Sequence, residues 1–136
     1  MRTAVPLALA ALAALGALTL IRLGTNQETL AAGGLLLLVS LPCVVLSRKQ
    51  LGAAFSVGPQ AKGLVTQGLY ARIPHPMYVF LDLALLAAVV MLRQPWLLVA
   101  WVGLIGVQAW QARREATALE RAFGHAYREY RRRTWW

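Results

Sequence analysis

Four apolar runs dominate the chain: Ala4 to Ile21, Leu30 to Leu46, Met77 to Leu92 and Pro95 to Trp110. In lipid every backbone polar group must be paired internally, so runs of this kind span as helices. A span needs about 20 residues, with a lower limit near 17. The first two runs are adequate. The last two are short, which predicts borrowed flanking residues, tilt or a locally thinned bilayer. With 59% hydrophobic residues, 14% charged and a mean hydropathy of +0.56, a soluble domain of 136 residues would expose too much of this surface. The expectation is one all-α, polytopic membrane domain over residues 1–136, with four transmembrane helices, a cytoplasmic loop and a C-terminal amphipathic helix.

Arg2 before an Ala/Leu-rich stretch is also how a secretory signal peptide begins. The run is longer than a usual signal core, which favours an uncleaved first span. Twelve of the fourteen basic residues then fall on one side: Arg2, the four between spans two and three, and the seven arginines after span four. Only Arg22 and Arg93 lie on the other. The positive-inside rule predicts both termini on the cytoplasmic side of the inner membrane. The net charge of +9 is thereby explained by topology, and no nucleic-acid partner is expected. The arginine tail suits anionic lipid heads, and Trp135 and Trp136 suit an interfacial anchor. One cysteine, Cys43, and two histidines make neither a disulfide nor a zinc framework.

Arg93-Gln94-Pro95 joins spans three and four as a tight antiparallel hairpin. The one long stretch between spans is 48–76, rich in glycine and proline and therefore expected to hold little regular structure. Loops of this length in a compact domain usually carry function. After span four, Ala116, Leu119, Phe123, Tyr127 and Tyr130 recur at helical spacing, predicting a helix over 113–130 that Gly124 bends or breaks. That helix either lies on the membrane surface or forms a lid over a site built by the 48–76 loop, and the two are compatible.

Chemistry concentrates at a few positions. His75 stands between Pro74 and Pro76, held in a turn just ahead of a helix. On sequence physics alone this is first a helix-start turn. Asp82 is the only acid inside a span, four residues after Tyr78 and so on its face. It is either a functional carboxylate or a structural hydrogen-bonding group, with Gln108 as the partner. Gln108, Gln111 and Glu115 form a polar stripe down span four; the plain alternative is a solvated helix end.

These residues carry a resemblance. Thr66-Gln67-Gly68-Leu69-Tyr70, then His75-Pro76-Met77-Tyr78, then Glu115 with Leu119-x-x-x-Phe123-Gly124-x-x-Tyr127-x-x-Tyr130 resemble the signatures of the isoprenylcysteine carboxyl methyltransferase family and phospholipid methyltransferase-like membrane enzymes. With Arg48-x-x-Leu51-Gly52-x-x-Phe55-Ser56, the resemblance covers 48–130. It departs from the family at Pro74, where an arginine is usual, and at Leu69, Phe80 and Ala116, the last replacing a second acid.

The resemblance implies an S-adenosylmethionine-dependent enzyme acting on a lipophilic acceptor: a prenylcysteine carboxylate, a phospholipid amine or another amphipathic molecule. It implies that the His75-Pro76 turn lines the cofactor pocket. The cofactor carboxylate would meet Arg72 or His75, its ribose Glu115, its sulfonium Tyr70 or Tyr78, and its adenine the Leu64-Val65-Gly68 turn. Asp82 and Arg72 are assigned to the acceptor and catalysis. No Gly-rich strand-to-helix fingerprint is present, which excludes a soluble Rossmann-type methyltransferase. The rival readings are a non-catalytic module of the same fold and a sterol-reductase-like protein using a nicotinamide cofactor.

Overall fold

The computed structural model describes residues 4–52 and 63–135. Phe55, Ser56 and Lys62 of the long loop, with Arg2 and Trp136, lie outside them. The described residues form four α-helices and no strand: α1 (Ala4–Leu23), α2 (Asn26–Leu51), α3 (Pro76–Leu92) and α4 (Leu97–Arg133). A short 3-10 turn, Gly68–Ala71, precedes α3.

α2 starts with a capping box. Thr25 accepts from the Glu28 backbone N–H, and the Glu28 carboxylate accepts from that of Thr25. The helix is built inside out by the standard of soluble proteins. Thr29, Gly33, Ser40 and Ser47 are buried, while Leu30, Leu35, Leu38, Val39, Leu41 and Val45 are exposed. The serine hydroxyls cost little to bury, because Ser40 Oγ donates to Leu36 O at 2.7 Å and Ser47 Oγ to Cys43 O at 2.6 Å. Small residues allow close helix approach, the usual means of association where lipid removes the hydrophobic driving force. At Gly33 a Cβ would collide with Met91 and come within 2.9 Å of Ala87 O. α3 accordingly packs most extensively on α2.

Among the described residues α2 is the one helix long and apolar enough to cross a membrane, and only 17% of its most apolar stretch is buried. Leu7–Leu23 and Pro76–Leu92 are apolar but shorter. Ala17 and Ile21 of α1, Leu86, Val89 and Val90 of α3, and Leu98 and Trp101 of α4 form the apolar core. At that end of the bundle Arg93 adopts a left-handed conformation, φ 54°. Its guanidinium donates to Gly24 O at 2.8 Å and Ile21 O at 2.9 Å. A cation thus satisfies the last carbonyls of α1, where the helix dipole is negative.

Two features differ from the sequence expectation. α2 runs on to Leu51, so the irregular stretch begins later than residue 48. No helix boundary falls near 112: α4 continues for 37 residues, and the segment expected as a separate helix extends the fourth apolar run. Residues 107–123 contain neither glycine nor proline, so nothing there interrupts the helix. The break comes at Gly124 (φ 50°, ψ −114°). Beyond it Tyr127, Tyr130 and Thr134 face inward, and the Trp135 N–H donates to Arg72 O at 2.9 Å.

A candidate active site between the first turn of α3 and mid-α4

The site is a ladder of polar contacts between α3 and α4. Pro76 is fully buried at the start of α3 and His75 precedes it as the N-cap, which fixes the direction of the imidazole. His75 and Tyr78 stack, their ring centroids 5.6 Å apart. Both reach Glu115: the Tyr78 hydroxyl donates to Oε1 at 2.6 Å, and His75 Nδ1 lies 3.4 Å from Oε2. Gln111, one turn earlier on α4, hydrogen-bonds to both Tyr78 and Glu115. One turn deeper, Gln108 Nε2 donates to Asp82 Oδ1 at 3.0 Å, and Trp101 Nε1 to the Asp82 carbonyl at 2.9 Å. The antiparallel run of the helices makes positions 75, 78 and 82 meet 115, 111 and 108 in reverse order.

The electrostatics follow from burial. The His75 side chain is 22% exposed, and desolvation, aided by the charge of Arg131, pushes its pKa down to about 4. The Glu115 carboxylate pulls the other way, but burial dominates, so the imidazole is neutral at physiological pH. A neutral imidazole beside a carboxylate carries its proton on the facing nitrogen, here Nδ1. Burial also raises the Glu115 carboxyl, against the hydrogen bonds from Tyr78 and Gln111, which favour its ionised form. Tyr70, buried on the 3-10 turn, is pushed up to about 12 by desolvation and then by the charge of Glu115.

All four tyrosines of the chain gather here. Burial raises the pKa of Tyr127 and pushes that of Tyr130 up to about 12, with Tyr127 and Tyr70 adding to the latter. The rings of Tyr127 and Tyr130 lie 6.1 Å apart. The Tyr130 hydroxyl is buried with no hydrogen-bond partner among the described residues.

A cleft of about 450 Å³ lies alongside, lined by Gln50, Leu64, Val65, Thr66, Gln67 and Gly68. The 3-10 turn joins it to the ladder, with Gly68 on the cleft and Tyr70 toward Glu115. Gln50, at the end of α2, accepts from the Leu69 N–H at 2.9 Å and presses against Gly68. Gly68 has φ +60°, so both its backbone and its surroundings require glycine.

Of the residues singled out from sequence, His75, Pro76, Tyr78 and Glu115 come together with Tyr70 beside them, and Leu64, Val65 and Gly68 line the cleft. Asp82 sits one turn inside, bonded to Gln108. Arg72 is exposed and contributes its carbonyl, not its side chain, to the contacts with the tail. Sequence reasoning missed Gln50, whose one available signal was its place at the end of an apolar run opposite a turn glycine. The model of the phospholipid methyltransferase family matches residues 29–126. No curated protein and no solved structure matches the chain.

Proposed function

The chain belongs to the phospholipid methyltransferase family, and on that premise we propose that it transfers a methyl group from S-adenosylmethionine to a lipophilic acceptor at the cytoplasmic membrane face. Membership makes it a membrane-associated methyltransferase for a lipid-related substrate. The observation that carries the finer reading is the Glu115 carboxylate held between His75 and Tyr78, beside a cleft of nucleoside size.

The residues present suit this cofactor. Glu115 is a half-buried acceptor for ribose hydroxyls. Leu64, Val65 and Gly68 give the cleft an apolar wall for adenine, and Thr66, Gln67 and Gln50 give it polar edges. The rings of Tyr70 and Tyr78 present π faces to a sulfonium. The buried Tyr130 hydroxyl, without a partner among the described residues, offers a bond. Bound there, the cofactor supplies an electrophilic methyl group.

The chain's own task is positioning and exclusion of water, which dominate an in-line displacement. Tyr78, Gln111 and His75 fix the Glu115 carboxylate. Tyr127 and Tyr130, arriving after the Gly124 bend, close the site from above. With its pKa near 4, His75 is a poor proton sink, so it serves as a contact and not as a general base. A carboxylate acceptor needs no such base. Asp82, deeper on the Tyr78 face, is assigned to the acceptor; Arg72, exposed beside the tail, is assigned to catalysis or to the cofactor carboxylate. Both termini are cytoplasmic in this reading, and a C-terminal reporter fusion active only on the outer side would reverse it.

The deciding experiment is calorimetric titration of detergent-purified protein with S-adenosylmethionine, followed by radiolabelled methyl transfer to a total lipid extract. Binding with transfer is expected. Binding without transfer would favour the non-catalytic module, for which Pro74, Phe80 and Ala116 speak. Absence of binding would sink the cofactor assignment.

A further inference from the structure

Beyond Gly124 the chain has two faces of different chemistry. Tyr127, Tyr130 and Thr134 are buried toward the site. Arg128, Arg132 and Arg133 are exposed on the opposite side. The ion pairs of Arg128 with Glu120 (3.5 Å) and of Arg133 with Glu129 lie in the open, so they hold these arginines only weakly.

The direction of the segment sets where those charges sit. α4 leaves the apolar core where Glu115 meets Tyr78, in the first turn of α3. The bend at Gly124 turns the chain back, and the Trp135 N–H reaches the carbonyl of Arg72, four residues ahead of Pro76. Arg132, Arg133 and the indole of Trp135, 63% exposed, thus lie with exposed Arg72 beside the start of the apolar helix α3. Arginines beside an indole at headgroup depth match an anionic bilayer surface in charge and polarity.

We propose that this patch docks on anionic phospholipid headgroups of the chain's own bilayer, and that docking latches the segment after Gly124 over the site. The docking rests on the geometry and on α3 crossing the bilayer from this end; its effect on cofactor affinity rests on the function proposed above.

The test uses full-length protein in nanodiscs of phosphatidylcholine, or of phosphatidylcholine mixed with phosphatidylglycerol. Hydrogen exchange of the amides of 125–135 reports the latch, and titration with S-adenosylmethionine reports its consequence. In the anionic discs exchange should slow by roughly tenfold, the effect of one to two arginines near such a surface. Arg132→Gln with Arg133→Gln should remove that lipid dependence, and Arg22→Gln, at the end of α1 where Arg93 binds, should keep it. The wild type should also bind S-adenosylmethionine more tightly in the anionic discs. Equal exchange of the wild type in both lipids overturns the proposal, as does lipid dependence that survives in the double variant. Lipid-dependent exchange with no cofactor binding in any disc leaves the docking standing and removes the function.

Discussion

The Tyr78 hydroxyl donates to Glu115 Oε1 at 2.6 Å, tying the first turn of α3 to α4 across 37 positions of sequence. The bond is charge-assisted when Glu115 is ionised, and it sets the rotamer of the carboxylate the cofactor would meet.

Tyr78→Phe should therefore weaken S-adenosylmethionine binding through a misplaced Glu115. Glu115→Ala and His75→Ala should weaken it directly. Loss of a charge-assisted contact costs about 1.5–3 kcal/mol, or roughly ten- to hundredfold in affinity. Calorimetric titration of the three variants is the check, with circular dichroism to show that each remains helical. Unchanged affinity in all three would remove the ladder from the site.

The depressed pKa of His75 predicts the acid side of the stability profile. The imidazole is neutral in the folded protein down to about pH 4, whereas the unfolded chain takes up its proton near 6.5. The unfolded state binds more protons across that window, so stability falls as pH falls from 6.5 to 4. The effect is on the order of 3 kcal/mol. The raised Glu115 acts with the opposite sign, costing stability as pH rises through 4.5. Melting temperature against pH for wild type and His75→Gln tests this. The variant should show a shallower decline between 6.5 and 4, and parallel curves would refute the assignment.

Gly68→Ala meets both a left-handed backbone and the Gln50 side chain, so it should cost about 1–2 kcal/mol. Gln50→Ala should be milder in stability, about 1 kcal/mol for the lost bond to Leu69. Because both residues line the cleft, each should weaken cofactor binding more than it lowers the melting temperature. A thermal shift with unaltered affinity would make the turn purely structural.

Asp82 offers a cleaner separation. Asp82→Asn keeps an oxygen to accept from Gln108, so its effect on melting should be small. Asp82→Leu leaves that amide without its acceptor and should cost about 1–3 kcal/mol. If Asp82 acts on the acceptor, the Asn variant loses turnover while its cofactor affinity stays at the wild-type level. Full turnover in Asp82→Asn would leave this carboxylate only its bond to Gln108.

The helices were legible because apolar runs with flanking glycine and proline breakers leave few alternatives. The ladder was half legible. The spacing of Gln108, Gln111 and Glu115 puts them on one face, and the Asp82–Gln108 bond is one of the two alternatives read for that carboxylate. What could not be read is which long-range partners close. Arg93 was read as part of the hairpin turn and as a charge on the far side, but not as a clasp, since the carbonyls it binds lie 69 and 72 residues away in sequence. The continuity of α4 past residue 112 was obscured by the change from apolar to charged residues, although charge does not end a helix and the first breaker is Gly124.

The Arg93 clasp has a mechanical consequence. One guanidinium holds the end of α1 to the turn between α3 and α4, and the capped start of α2 follows two residues after Gly24. The bundle is riveted at this end. Between α3 and α4 the opposite end is held by side-chain bonds that can be made and broken without unwinding a helix. Motion that admits a lipid-related substrate would therefore swing like a clothes-peg, its spring at Arg93 and its jaws at Tyr78 and Glu115.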